Sequence, residues 1–373
     1  MPPVCFWFGL YSNLGVDKME ENDVIGIENE YKDLKTENFR KPSIWQVGAL
    51  FSFVVIIFLY LGTRVQEWNT NYGMIITEFG LIFLPPVLFL IIFKFDIKKV
   101  MRLNNPGIIN ILLIFGIMVF SLPVIGVLNI FNFWVIKQIF GKYEVFQAPI
   151  SSGSWGLLIG VLIIGVSAGI CEEVLFRGVI QRGFEKLGAA RSIFITAFLF
   201  GLMHMDFQRF LGTFILGVLM GYLAYKSDSI FSSMFAHFAN NSIAVCLTFV
   251  SLKATEFLKE NNVEGIENVQ NGDIFEAFTQ MSRMEMIVAI FVYVAIFIFS
   301  CVWLYFLIRL FAKNNDKREV IIKRDEGSVS VRNFASFLPG VLIILFIYVI
   351  DILRMGNVLE QPALQQIMRA IGL

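Results

Sequence analysis

The sequence predicts an all-α polytopic membrane protein of about eight or nine transmembrane helices. Three observations lead there. Of 373 residues, 57% are hydrophobic and only 16% charged, where soluble domains carry about a quarter of their residues as charged side chains. Apolar runs of about 18 residues or more recur along the chain, the length that crosses a bilayer as helix. Those runs are continuously apolar, whereas strands of an outer-membrane barrel would alternate. The same composition excludes a soluble enzyme and a disordered chain. A net charge of zero leaves no basic footprint for nucleic acid, so no nucleic-acid partner is expected.

Taken in order, the runs cover about residues 44–63, 72–93, 106–133, 154–181, 191–207, 210–226, 229–251, 285–311 and 334–353. The fifth and sixth are nearly fused at Phe207-Gln208-Arg209 and should form a tight helical hairpin. Lys and Arg fall about twice as often on the segments that share a side with the N-terminus as on the others, which by the positive-inside rule puts that terminus in the cytoplasm of a multi-pass cell-membrane protein.

Residues 1–43 read as a cytoplasmic tail, partly apolar over 3–15 and acidic and polar from Asp17 to Lys41, with neither the basic start nor the small-residue cleavage site of a signal peptide. Met19 is an alternative start that would make residues 1–18 dispensable. Residues 44–353 form the helical membrane domain. In 354–373, Leu364, Ile367, Met368 and Ile371 follow Pro362 at helical spacing and suggest an interfacial segment. Cys5, Cys171, Cys246 and Cys301 have no metal-ligand or disulfide spacing and read as small buried hydrophobes.

Ionisable groups in hydrocarbon are costly, so each one inside a span is a functional candidate. The fourth run holds Glu172, Glu173 and Arg177. Glu173 and Arg177 stand at i and i+4 and can pair on one helical face. Glu172 points about 100° away and has no such partner. A solitary carboxylate in an apolar setting suits general acid or base work. The chain has two histidines, His204 in the fifth run and His237 in the seventh, and Asn241 shares a helical face with His237. At a rise of about 1.5 Å per residue, Glu172, His204, His237 and Asn241 lie about 12–20 Å from the inner ends of their helices, in one slab. The pairs Gly156/Gly160, Gly165/Gly169 and Gly217/Gly221 allow backbones to approach closely there.

Three motifs, E-E-x-x-x-R at Glu172, Glu173 and Arg177, F-x-x-x-H at Phe200 and His204, and H-x-x-x-N at His237 and Asn241, together with Gly178, resemble the CPBP family. That family comprises CAAX prenyl endopeptidases and bacteriocin-processing or self-immunity membrane proteins. The resemblance covers about residues 150–251 and implies a conical or bundled catalytic core. It also implies intramembrane hydrolysis of a peptide bond in a membrane-associated protein or peptide, either a prenylated CAAX-type protein or a peptide leader. On this resemblance Glu172 would activate a water, His204 would assist, and His237 and Asn241 would face the oxyanion. Glu173, Arg177 and Phe200 would support them. No cofactor is favoured. The zinc alternative of the same family would use Glu172, His204 and His237 as ligands. Two other classes compete: a non-catalytic membrane regulator or immunity protein that binds a partner, and a proton-coupled transporter, which should show inverted repeats that this chain lacks.

Overall fold

A computed structural model describes residues 39–145, 148–261, 274–316 and 330–358. The expected tail before residue 39 and most of the expected interfacial segment lie outside the described residues. Within them all regular structure is helical. Eight helices are long and apolar enough to cross a membrane: α1 Ile44–Trp68, α2 Thr70–Ile92, α3 Ile108–Phe140, α4 Gly156–Leu187, α6 Phe210–Ser227, α7 Ile230–Glu260, α8 Arg283–Asn314 and α9 Val331–Met355. The shorter apolar helix Ala189–Met203 is α5. Each expected span has its helix, the fifth falling short of a full crossing at 15 residues, and the chain is an all-α polytopic membrane protein.

Several helices outrun their apolar stretch. A hydropathy run ends where polar residues begin, but the backbone hydrogen bonds do not. Thus α3 continues to Phe140 and α7 to Glu260. The α5–α6 hairpin forms, but its connector is the segment 204–209 rather than three residues. There α5 ends at Met203, His204 caps it, and Met205 takes a left-handed conformation at φ 52°. His204 therefore lies just beyond its helix, not inside it. The cysteine reading also needs correction. Cys171 is buried, but Cys246 is exposed and Cys301 only half-buried, because an apolar helix can turn a thiol towards lipid as readily as towards the core.

Ion pairs bring together one set of helix ends. Glu185, near the end of α4, binds Lys41 at 3.1 Å, Arg102 at 2.7 Å and Arg182 at 2.5 Å. Arg102 also holds Asp228, in the turn between α6 and α7, at 2.8 Å. At the opposite ends, Gln208 accepts a hydrogen bond from the Glu144 backbone amide at 2.9 Å. Its carbonyl accepts another from Asn132 Nδ2 of α3 at 2.8 Å. These bonds fasten the 204–209 connector to the end of α3.

Buried apolar side chains of α1, α2, α4 and α5, including Phe51, Leu90, Phe176, Phe184 and Phe200, form one core. A second core joins α3, α6, α7 and α8. Glycines let α4 approach α7: a Cβ on Gly169 would stand 3.1 Å from the backbone nitrogen of Phe238 and 3.2 Å from the Met234 carbonyl. The expected close backbone approach is thus realised between these two helices. Four π-helical turns interrupt α1, α2 and α4, at Phe58–Gly62, Thr77–Phe83, Val161–Ser167 and Val174–Ile180. Such turns add a residue, re-aim side chains and disturb the regular carbonyl ladder.

Candidate active site

Between the two π-helical turns of α4 lies the short α-helical stretch Ala168–Glu173. It presents its two glutamates in different directions. Glu173 is fully buried. Its Oε1 accepts a hydrogen bond from Arg177 Nη1 at 2.6 Å, one turn along the same helix as the spacing requires. The same oxygen meets His237 Nδ1 at 3.0 Å. Arg177 is fixed on two further sides. Its Nη2 donates to the Gly217 carbonyl of α6 at 3.0 Å, and its guanidinium lies over the Phe200 ring at 4.5 Å, a favourable cation–π geometry.

Phe200 connects these groups. Its ring meets those of Phe176, His204 and His237 edge to face, with centroids 5.1, 5.0 and 5.9 Å apart. The F-x-x-x-H spacing therefore places an aromatic wall against both imidazoles. His204 Nδ1 lies 3.0 Å from the Phe200 carbonyl. A carbonyl can only accept, so Nδ1 carries the proton and Nε2 of the neutral ring is an acceptor. By the same argument His237 donates from Nδ1 to Glu173 and keeps Nε2 for another partner.

Asn241 stands one turn beyond His237 on α7. Its Nδ2 donates to the Ile164 carbonyl at 2.9 Å, inside the first π-helical turn of α4. Its Oδ1 accepts from Asn240 Nδ2 at 3.0 Å. The carboxamide is held from both ends, with one N–H left over.

The two imidazoles, the carboxamide and the aromatic wall border one cavity of about 470 Å³. Its walls include Glu172, His204, His237 and Asn241, with Phe176 and Phe200. Glu172 is half-buried and, unlike Glu173, has no hydrogen-bonded partner among the described residues. The structure thus brings the four expected catalytic candidates to one space. Glu173 and Arg177 lie behind them as an ion pair. Two charged residues on the same wall, Glu78 of α2 and Arg209 of the connector, were not singled out from sequence. The signal for Glu78 was present, since it is an acidic residue inside an apolar run.

The zinc alternative would use Glu172, His204 and His237; among the described residues no three His, Cys, Asp or Glu side chains are gathered closely enough to hold a metal ion.

Residues 154–243 match the family model described as type II CAAX prenyl endopeptidase, Rce1-like. The segment runs from the start of α4 to the middle of α7 and contains all three motifs. No curated protein and no solved structure matches the chain. The motif residues Glu172, Phe200, His204, His237 and Asn241 thus converge on one cavity within the stretch, residues 154–243, that is similar to the type II CAAX prenyl endopeptidases.

Proposed function

We propose that the protein is an intramembrane endopeptidase that hydrolyses a peptide bond of a membrane-associated protein or peptide by a water activated at Glu172. The observation that carries this reading is the unpartnered Glu172 carboxyl, facing the same cavity as two oriented imidazoles and an oriented carboxamide. Peptide hydrolysis needs a base for the attacking water and donors at the developing oxyanion. Glu172 is the base. His204, with Nε2 an acceptor, orients the water towards the scissile carbonyl. His237 is backed by Glu173 and donates from Nε2 when its ring is protonated. The remaining N–H of Asn241 supplies a second donor to the oxyanion. The Phe176 and Phe200 rings keep the surroundings apolar, which strengthens each of these interactions.

The reaction in this reading is metal-free. The basic helix ends, at Lys41, Lys98, Lys99 and Arg102, face the cytoplasm of the cell membrane. The substrate is a CAAX-type prenylated protein or a peptide leader.

The test compares membrane and secreted peptides from cells expressing wild type or Glu172→Gln at matched abundance. A peptide set present only with wild type supports the reading and gives the cut site. Identical profiles overturn it in favour of a membrane regulator or immunity protein that acts by binding a partner.

A further inference from the structure

Arg209 heads a stripe that runs into α6. Thr213, Leu216 and Met220 follow it at spacings of four, three and four residues, which is one face of a helix. All of them border the cavity that holds Glu172. Among the described residues on that wall, Arg209 is the one Lys or Arg. The stripe below it is apolar apart from Thr213, whose hydroxyl donates to the Arg209 carbonyl at 3.0 Å.

The backbone that carries Arg209 is fixed. Gln208 is buried, and its amide donates to Asp206 Oδ1 at 2.9 Å. Its side chain and carbonyl are the groups tied to the end of α3. The charge of Arg209 acts on those of Asp206 and Glu172. A guanidinium presents several N–H donors in a rigid fork, so it can serve such neighbours and still offer parallel donors to a planar anion. The titratable groups that share the wall are Glu78, Glu172, His204 and His237. The two carboxyl groups disfavour a second anion beside them, so a carboxylate entering this cavity finds its favourable place at Arg209.

We propose that Arg209 anchors a carboxylate of the substrate and so sets which peptide bond comes to Glu172. This assignment rests on the reading of Glu172 as the base and deepens it. An extended residue spans about 3.3–3.6 Å. Within one cavity of about 470 Å³, the anchored carboxylate therefore stands only a few residues from the scissile bond. Leu216 and Met220 would lie along the chain between them. A chain terminus can supply the carboxylate, and so can an Asp or Glu side chain, since both offer the same planar anion.

Neutralising the substrate instead of the enzyme separates this role from a structural one. Fluorogenic peptides spanning the cut site found in cells would be made with all carboxylates intact, with the terminal carboxylate converted to an amide, and with each nearby Asp or Glu converted to Asn or Gln. Purified full-length wild type should lose about tenfold or more in kcat/KM on one neutralised form. The form affected identifies the source. Most of the loss should fall in KM, because the contact is made before the reaction as well as during it. Arg209→Gln should cut all the forms within about threefold of one another. Arg209→Lys, which keeps the charge without the fork, should retain part of the discrimination, and it carries the test if the Gln variant is poorly produced. Each ratio is taken within one preparation, so a smaller folded fraction cancels. Wild type indifferent to both neutralisations would overturn the proposal. So would Arg209→Gln with the wild-type ratio, which is what an arginine acting only on Glu172 or on the connector would give. If Glu172→Gln cleaves the intact peptide normally, the base assignment fails, while the ratios still report on Arg209.

Discussion

His237 and Glu173, 64 residues apart, are joined Nδ1 to Oε1 at 3.0 Å. The second glutamate of the E-E pair thus belongs to a chain running from Arg177 through a carboxylate to an imidazole on another helix. Its place in that chain gives Glu172 and Glu173 opposite mutational signatures.

Glu173→Gln removes the charge that balances a buried guanidinium. Breaking such a pair from one side costs about 3–5 kcal/mol, so the variant should be poorly abundant and melt at lower temperature in detergent. Glu172→Gln removes an unpartnered carboxyl and should melt at or above the wild-type temperature. A thermal shift on both purified variants checks the contrast.

Asn241→Leu keeps the volume of the side chain and deletes the donor. Loss of one oxyanion contact should reduce kcat by about 100- to 1000-fold. The lost bond to the Ile164 carbonyl should reduce stability by only about 1 kcal/mol. Kinetics and melting of the same preparation separate the two effects.

Gly169 faces the backbone of α7 at a distance that an added Cβ would crowd. Gly169→Val should push α4 from α7 and separate Glu172 from His237. A destabilisation of about 1–3 kcal/mol is expected from overpacking, with a larger fall in processing. Gly169→Ala should fall between wild type and the Val variant in both measurements.

Glu185 receives three cations and stands on the far side of the apolar core from the cavity. Glu185→Gln should cost several kcal/mol by removing the buried carboxylate that Arg182 and Arg102 share, Arg102 keeping only Asp228. Activity per folded molecule should be unchanged. Processing normalised to the folded fraction, measured by size-exclusion chromatography, distinguishes this from a catalytic effect.

Metal-free hydrolysis predicts that dialysis against a strong zinc chelator leaves the cleavage rate intact. A rate that falls on chelation and returns with added Zn²⁺ would restore the zinc alternative.

The spans were legible because bilayer thickness sets their length and hydrocarbon sets their composition, both local properties of the chain. The Glu173–Arg177 pair was legible for a similar reason, as a contact within one helical turn. The Glu173–His237 bond was not, since it depends on how α4 rotates against α7 after two π-helical turns that no hydropathy pattern marks. Glu78 carried a signal of the right kind, a carboxylate inside an apolar run, but nothing in its surroundings linked it to the motifs of α4. The apolar fourth run stops at residue 181, short of Arg182 and Glu185. The structure continues that helix to Leu187, and burial turns them into an anchor.

Between that anchor and the cavity wall at Phe176, α4 buries Val179, Ile180 and Phe184 in one core with Leu90 and Val100. Along α4 the cavity and the ionic end are thus separated by buried hydrocarbon side chains and by Gln181, whose amide is tied to the Gly221 carbonyl of α6. A hydrolase inside a bilayer must admit water without opening a conduit for ions. With one end sealed, the wild-type protein reconstituted in liposomes should leave an imposed proton gradient standing while it works.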